Sequence, residues 1–405
     1  MKRINVASGR ELETIAHYSR AVRVGDTVLQ AGTTAIDRTG KVRGVGDVAA
    51  QVDAIMAIAS WSMPKAGGRL ADTVRSRIYV TGIALADAAA RAVAKHFRDT
   101  RPAATLVEVS GLARPEQLVE IELDAVDGGR TARRVSSGRA IEEEYAYSRA
   151  VRVGDRIFVS GTTALTPKGD VDGPGDLYRQ TRSTLDTIMD ALTQLGGSRD
   201  DVVYTKTFLT NLADAASYQR AWLEAFADVR PTSTLLGIPK LLRPEMLIEI
   251  EAEAIVGAAR QRRDVFTGRQ REKPRGYARA VDVGDWVYVS GCTSLDDAGE
   301  VRAAGDWGAQ ADLANETIRW SLAECGATMD DVVRRRTFTV EGATVRPHGQ
   351  GPAWYATSHP ASLGCRVSGL ARPELVVEIE VAAVKGAAAN IERIGPDEVD
   401  PLDRP

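Results

Sequence analysis

Hydrophobic and polar residues alternate along two neighbouring segments near the start of the chain. The segments Tyr18–Val24 and Val28–Thr33 both show the two-residue period of a β-strand with one buried face. Gly25 and Asp26 stand between them, and this pair is typical of a tight hairpin turn. The pattern therefore predicts a β-hairpin.

The period changes to that of an α-helix further along the chain. Apolar residues recur every three or four positions between about residues 176 and 195. Asp176 predicts the N-cap of this helix and Gly196 predicts its end. Asp47 and Asp306 occupy the same cap position in the copies described below.

The remaining segments complete an α+β unit. A strand is predicted over Val202–Leu209 and a shorter helix over Ala213–Phe226. Two strands follow, and the last one contains the sequence Glu-Ile-Glu. The predicted order is ββαβαββ, with helices on one face of a sheet.

This unit is written three times, with a period of 129 or 130 residues. The segment Tyr-Ser-Arg-Ala-Val-Arg-Val-Gly-Asp starts at Tyr18 and again at Tyr147, and a close copy starts at Tyr277. Such a period is too long for a solenoid and fits a small domain. The predicted domains are residues 1–127, 136–256 and 266–385, and residues 386–405 are predicted to form a flexible tail.

The segments between the repeats are predicted to be solvated linkers. Residues 127–145 and 257–276 are rich in glycine and charge. The second segment carries mostly basic residues, so a nucleic-acid patch is the alternative. Only Phe266 interleaves these charges, and nucleic-acid patches usually combine basic with aromatic side chains.

Composition narrows the class of protein. The net charge of the 405 residues is −3, which gives no global basic field for nucleic acid or a membrane surface. Three cysteines cannot make a disulfide framework, and no apolar run is long enough to span a membrane. No His and Cys spacing predicts a metal site, and no cofactor is implied. We therefore expect a cytoplasmic protein that acts on a small molecule and binds neither nucleic acid nor membrane.

Several short segments of the repeat point to a known family. They are the Tyr-Ser-x-Ala-Val opening, a Ser-Gly pair at the end of the second strand, prolines at Pro102 and Pro231, and the Glu-Ile-Glu strand. The pair stands at 160–161 and 290–291, whereas repeat 1 has Ala31 and Gly32. In these features each repeat resembles the reactive-intermediate deaminase (Rid, or YjgF) family.

The resemblance implies an assembly within one chain. Rid proteins are trimers of single-domain subunits, with a ligand cleft at each interface. We therefore expect three Rid-like (chorismate-mutase-like) domains forming an intramolecular pseudo-trimer, with the helices outside and the whole chain a monomer. Tethering converts a bimolecular association into an intramolecular one.

The resemblance also suggests catalytic residues. In the Rid family the tyrosine of the opening segment and the first glutamate of Glu-Ile-Glu border the cleft, where the carboxylate can activate water. The predicted catalytic residues are Tyr18, Tyr147, Tyr277, Glu120, Glu249 and Glu378.

The arginine two residues after each tyrosine allows two interpretations. The first interpretation is a structural ion pair, because facing sheets would bring Arg20, Arg149 and Arg279 near the acidic residues of the last strands. The other is that these arginines bind an anionic substrate, with Thr33 and Thr162 beside them.

Two further features separate this chain from the deaminating Rid proteins. Those proteins carry a substrate-binding arginine at a position that here reads Ala104, Ser233 and Ser362. Repeat 3 also has Cys292 after its Ser-Gly pair, a candidate nucleophile or a buried small residue, and His359 is a candidate acid–base group.

The expected function is hydrolysis of a small, reactive imine or enamine by water in a cleft between repeats, and the divergence among the repeats suggests a place in a biosynthetic route. A non-catalytic small-molecule binder or scaffold on the same fold is the alternative, and an RNA-acting protein is a third class that the net charge disfavours.

Overall fold

A computed structural model describes residues 1–269, 271–347, 352–397, 399 and 401–403, and most of them lie in regular elements. Repeat 1 contains β1 Arg3–Val6, α1 Glu11–Ile15, β2 Ala21–Val24, β3 Thr27–Thr33, α2 Val48–Lys65, β4 Thr73–Val80, α3 Ala86–Phe97, β5 Ala103–Glu108 and β6 Val119–Val126. Repeat 2 contains β7 Arg133–Val135, α4 Ala140–Glu144, β8 Ala150–Val153, β9 Arg156–Thr162, α5 Leu177–Gln194, β10 Val202–Leu209, α6 Ala215–Phe226, β11 Thr232–Gly237 and β12 Ile248–Ile255. Repeat 3 contains β13 Arg263–Val265, β14 Ala280–Val283, β15 Trp286–Cys292, α7 Trp307–Glu324, β16 Val332–Val340, β17 Ala361–Val367 and β18 Val377–Val384, and β19 Ile391–Ile394 follows it.

Each repeat forms one mixed sheet, which confirms the predicted α+β class. The strand orders are β19-β1-β2-β3-β6-β4-β5, β11-β10-β12-β9-β8-β7 and β13-β14-β15-β18-β16-β17. Strand β4 pairs in parallel with β5, β10 with β11, and β16 with β17, and the other pairs within each repeat are antiparallel. The predicted helix caps also hold, since the side chains of Asp47, Asp176 and Asp306 accept backbone N–H groups.

The two segments predicted to be linkers belong to the folded repeats, so that prediction was wrong. The first contains β7 and the short helix α4, and the second contains β13. Three-residue strands and five-residue helices are too short to show a periodic pattern, and their many charged side chains resemble those of a solvated loop. Each repeat therefore opens with a strand that the predicted order ββαβαββ omits.

Each sheet buries one face under its helices. In repeat 1, Ile55 and Met56 of α2 and Phe97 of α3 pack against Ile121 of the sheet. Repeats 2 and 3 build equivalent cores from α5 and α6 and from α7. Between β16 and β17 the described residues of repeat 3 form no α-helix, where repeats 1 and 2 have α3 and α6, and residues 348–351 of that segment lie outside the described part.

The opposite faces of the three sheets meet one another, and their contacts close into a ring. Strand β5 contacts β9, β11 contacts β15, and β17 contacts β3. Buried ion pairs join each repeat to the next around the centre of this ring, and breaking one such pair typically costs about 3–5 kcal/mol. These pairs are Arg77 with Glu251, Lys206 with Glu380, and Arg336 with Glu122, each at 2.8 Å.

The end of the chain differs from the flexible tail expected. Ile391–Ile394 forms β19, which pairs in parallel with β1 and extends the first sheet. Asp397 then accepts hydrogen bonds from Trp61 and Lys65 of α2. The exposed edge of β1 supplies hydrogen-bonding groups that the tail satisfies. Within the described residues, no helix combines the length and apolar character that crossing a bilayer requires.

Candidate active site

Two cavities lie between neighbouring repeats. The one between repeats 1 and 2, here the 1/2 cleft, has a volume of about 730 Å³, part of it open to solvent. The one between repeats 2 and 3, here the 2/3 cleft, has about 880 Å³ on the same measure. The tyrosine and glutamate predicted for catalysis line both clefts, as Tyr147 with Glu249 and as Tyr277 with Glu378.

The glycine of the Ser-Gly pair makes room for this glutamate. A Cβ atom added to Gly161 would lie 2.0 Å from Oε1 of Glu249, and one added to Gly291 would lie 1.8 Å from Oε1 of Glu378. Gly32 stands in the same relation to Glu120. The glycine is therefore required because the carboxyl group lies directly against the backbone of β3, β9 or β15.

The serine of the pair joins one repeat to the next. The hydroxyl of Ser160 accepts the backbone N–H of Ala104 at 2.8 Å and donates to the carbonyl of Ser148 at 2.6 Å. Ser290 makes the same bonds with Ser233 and Ala278. The preceding repeat forms one wall of each cleft, and a hydrogen bond from its backbone N–H to the serine hydroxyl fixes that wall in place.

Burial changes the protonation of the three glutamates. Loss of water contact raises the pKa of Glu120, Glu249 and Glu378 to about 8, although each has an arginine nearby that lowers it. Each carboxyl group is therefore mostly protonated at pH 7 and can donate a proton. A carboxylic acid with a pKa close to the working pH suits general acid–base catalysis.

The arginine of the opening segment is fully engaged within its own repeat. Arg149 contacts Glu142 through Nε and Nη2, both at 2.9 Å, and its Nη2 also donates to the hydroxyl of Tyr147 at 3.0 Å. Its Nη1 donates to the carbonyl of Gly161 and to Thr162, both at 2.9 Å. These five contacts account for the five N–H groups of a guanidinium.

This geometry corrects the predicted ion pair. The carboxylate partners of Arg20, Arg149 and Arg279 are Glu13, Glu142 and Glu272. Glu13 and Glu142 lie on the short helices α1 and α4, and Glu272 lies at the corresponding place in repeat 3. On the last strands, Glu122, Glu251 and Glu380 bind the central cations instead. The geometry favours the structural interpretation of these arginines, with the tyrosine held in place as a result.

Thr33, Thr162 and Cys292 lie on the arginine side of their strands. Thr33 and Thr162 accept a hydrogen bond from the arginine and donate to a backbone carbonyl. Cys292 is fully buried, lies 3.4 Å from Nη1 of Arg279, and has its pKa raised by burial. A protonated, enclosed thiol is a poor nucleophile. The next residues, Thr163 and Thr293, line the clefts because side chains alternate along a strand.

The junction between repeats 3 and 1 is built differently. Leu363 stands where the other junctions have a threonine, and Ala31 replaces the linking serine. Arg335 lies opposite Ser362 in the β16–β17 register, stacks on the ring of Tyr355 and reaches the carbonyl of Ala16.

His359 and Tyr18, both predicted to be functional residues, lie at the edges of this junction. His359 contacts the ring of His17 edge-on at 5.4 Å between centroids, and burial lowers its pKa. Tyr18 packs beside Arg20, whose Nη2 donates to its hydroxyl at 2.9 Å. Both lie where repeats 3 and 1 meet.

Sequence reasoning missed the cations of the 2/3 cleft. Arg269, Arg271 and Arg275 line it, and all three come from the segment interpreted as a linker. The high proportion of arginine in that segment was the feature of the sequence that could have predicted them. Among the described residues, no cluster of histidine, cysteine and carboxylate side chains is arranged to hold a metal ion.

The profile of the endoribonuclease L-PSP family matches this chain three times, over residues 8–127, 137–256 and 270–385. The chain belongs to the endoribonuclease L-PSP family. Each match covers the strands of one repeat except for its short first strand, β1, β7 or β13. The matches confirm the resemblance to Rid proteins on which the sequence analysis relied.

Individual L-PSP relatives match one domain at a time. A protein from Streptomyces coelicolor is 39% identical over 127 residues, which are 31% of this chain and 93% of the relative. The 3-aminoacrylate deaminase RutC of Acinetobacter baylyi is 34% identical over 110 residues, 27% of this chain and 86% of the enzyme. A solved structure from Mycobacterium tuberculosis, of the YjgF/YER057c/UK114 family, is 36% identical, with a TM-score of 0.28, and covers 31% of this chain and 99% of that one.

Proposed function

We propose that the protein hydrolyses small, reactive imines or enamines in the 1/2 and 2/3 clefts, releasing ammonia and a carbonyl compound. The observation that carries this proposal is the buried glutamate at the inner end of each cleft, Glu249 or Glu378, whose pKa burial raises to about 8. The family includes a deaminase of 3-aminoacrylate, an enamine, which supports this class of reaction.

The proposed chemistry needs only a proton donor, a water molecule and a positioned substrate. The protonated carboxyl group of Glu249 donates its proton to the enamine carbon, giving an iminium ion. The resulting carboxylate then accepts a proton from water as the oxygen adds to the iminium carbon. Glu249, protonated again, donates this proton to the amino nitrogen. As the C–N bond breaks and ammonia leaves, the hydroxyl proton passes to the carboxylate, so that the carbonyl forms and the protonated glutamate is restored.

The surrounding residues support this assignment of roles. The backbone N–H of Leu106, from the preceding repeat, is directed at Glu249 and orients its carboxyl group. Thr163 and the hydroxyl of Tyr147 line the same cavity and can bind the attacking water or the amino group. Arg149 acts as a positioning residue, because its N–H groups hold Tyr147, Glu142 and the strand end.

The alternative is a non-catalytic binder of small molecules. Ala104 and Ser233 favour it, because neither places a guanidinium on the strand that borders the cleft. A family member that lacks the substrate-binding arginine of the deaminating Rid proteins still has a shaped cavity, which can bind a small molecule without turnover.

Ammonia release from freshly generated imines and enamines tests the proposal. The wild-type protein is compared with Glu249→Gln, Glu378→Gln and the double variant. Glutamine matches the protonated glutamate in shape and neutrality, so folding should be preserved. Glu120→Gln is the matched control, since Glu120 has the same burial and the same raised pKa at the junction that carries Leu363.

We expect the double variant to lose about 100-fold or more of the activity, as removal of a general acid does. The control should retain most of it. Wild-type activity no greater than that of the double variant would instead favour the non-catalytic binder.

A further inference from the structure

The 1/2 and 2/3 clefts differ most at two equivalent positions. Ile141 and Tyr145 line the 1/2 cleft, and Arg271 and Arg275 take their places in the 2/3 cleft. The neighbouring arginine is common to both, since Arg139 and Arg269 each bond a threonine of the long helix behind them. At these two backbone positions, the 2/3 cleft therefore carries two cations that the 1/2 cleft lacks.

These two guanidinium groups have no hydrogen-bonding partner within the part of the chain that the structure describes. Among the described residues, neither Arg271 nor Arg275 makes a side-chain hydrogen bond or an ion pair. Arg271 is half-buried and lies against Gly299, while Arg275 is exposed. Both guanidinium groups line the cleft and keep hydrogen-bond donors that an anionic ligand there can use.

The acidic residues of the 2/3 cleft are already engaged. Asp297 pairs with Arg269, and Asp296 accepts the backbone N–H groups of the turn at 298–300. Glu378 is mostly protonated at pH 7 because its pKa is raised to about 8. The cleft consequently has an excess of positive charge on the side that Arg271 and Arg275 form.

Positive charges crowd each other at this place. Burial, together with the guanidiniums of Arg275 and Arg372, lowers the pKa of Arg271, and the opposing effects of Tyr277 and Glu300 are smaller. An anion bound between these groups would relieve the repulsion. The facing wall contributes Ser233 and Gln219, where the 1/2 cleft has Ala104 and Ala90, so both walls are more polar.

We propose that the 2/3 cleft binds a small molecule that carries a carboxylate or phosphate group, held by Arg271 and Arg275, while the 1/2 cleft takes an uncharged counterpart. The reactive end of the molecule then lies toward Glu378 and Tyr277. This placement of the reactive end rests on the proposed function, whereas the binding of the anion does not.

Binding calorimetry on the full chain tests this assignment without turnover. Succinate is compared with succinamide, which has nearly the same shape and no charge, and glycerol 3-phosphate is compared with glycerol, which lacks the phosphate group. The two pairs separate a carboxylate ligand from a phosphate ligand. The variant is Arg271→Ile with Arg275→Tyr, which installs the residues that repeat 2 carries in the same backbone and should therefore fold.

We expect one of the two anions to bind wild-type protein at least tenfold more tightly than its neutral partner, and to bind more weakly as salt is raised. The double variant should lose this preference and keep its melting temperature within a few degrees. Equal binding of anion and neutral partner, or an unchanged preference in the folded variant, would overturn the assignment.

Glu378→Gln separates this inference from the proposed function. It should retain anion binding and lose turnover of the anionic substrate. If it keeps turnover, the proposed function fails while the anion site stands. If it loses turnover and wild-type protein shows no anion preference, the anion site fails alone.

Discussion

The 1/2 and 2/3 clefts share their inner end and differ on their solvent side. Both have a buried glutamate against a glycine, a tyrosine held by an arginine, and a serine that fixes the opposing strand. On the solvent side, Ile141 and Tyr145 of one cleft correspond to Arg271 and Arg275 of the other. The residues whose contacts hold the backbone in place are therefore the same in both clefts, whereas the residues that face only the cavity differ.

This difference shows what fusion into one chain permits. Three separate subunits of identical sequence would have three identical clefts, whereas a chain of three repeats can alter each cleft by itself. The 3/1 junction has changed furthest, since Leu363 and Arg335 stand where the other junctions carry small or hydroxyl side chains.

Substituting the glycine beneath one glutamate should disable that cleft alone, and this is the largest effect we expect. In Gly161→Ala the new methyl group collides with the carboxyl group of Glu249, the mobile end of a flexible side chain. The carboxyl group should move away while the strand stays in place. Ammonia release from uncharged substrates should fall about 100-fold, with a small change in melting temperature.

Gly291→Ala is the matched variant in the other cleft, where it displaces Glu378. It should spare the uncharged substrates and abolish turnover of anionic ones. Equal loss of both activities in either variant would show that the two clefts do not work separately.

Transferring the arginines should give the 1/2 cleft an affinity for anions. In Ile141→Arg with Tyr145→Arg, two cations join a cavity whose wild-type arginines are Arg139 and the fully engaged Arg149. Binding of the anion preferred by the 2/3 cleft should rise to two sites per chain, the new one gaining about tenfold over its wild-type affinity. Calorimetric stoichiometry measures this, and a single site in the folded variant would contradict it.

Turnover should depend on pH in the same way in both clefts. The pKa of Glu249 and Glu378 is raised to about 8, so each carboxyl group is protonated below that pH and ionised above it. Because the protonated form is the donor, the rate should fall by a few-fold as pH rises from 7 to just above 8. A rate that rises through this range would show that the carboxylate, acting as a base on the free substrate, limits the reaction.

Removing one linking serine should have the smallest effect. Ser160→Ala leaves the backbone N–H of Ala104 without its acceptor and costs about 1 kcal/mol of unfolding free energy. Ser290→Ala should cost a similar amount at the other junction. Chemical denaturation measures both values. Repeat 1 already carries Ala31 at this position, so the fold tolerates the change.

Sequence patterns predicted the parts of the site that repeat. The threefold period, the tyrosines and the Glu-Ile-Glu glutamates were visible because long strands and helices carry clear periodicity. The partners of Arg20, Arg149 and Arg279 were not, since Glu13 and Glu142 lie in helices of five residues and Glu272 in an irregular segment.

The cations of the 2/3 cleft were missed for a related reason. Arg271 and Arg275 lie in a charged stretch that has the composition of a linker, and only the ring of contacts between sheets brings that stretch to a cavity. The sequence also did not determine whether the side chain of Cys292 faces the cleft, because the pairing register of β15 decides which of Cys292 and Thr293 does so.

A crystal structure of the full chain with succinate or glycerol 3-phosphate, whichever binds more tightly, tests the account most directly. We predict ligand density in the 2/3 cleft, with its anionic group between Arg271 and Arg275, and a 1/2 cleft without that ligand. Density in neither cleft at a saturating concentration, or equal density in both, would contradict the division of labour between them.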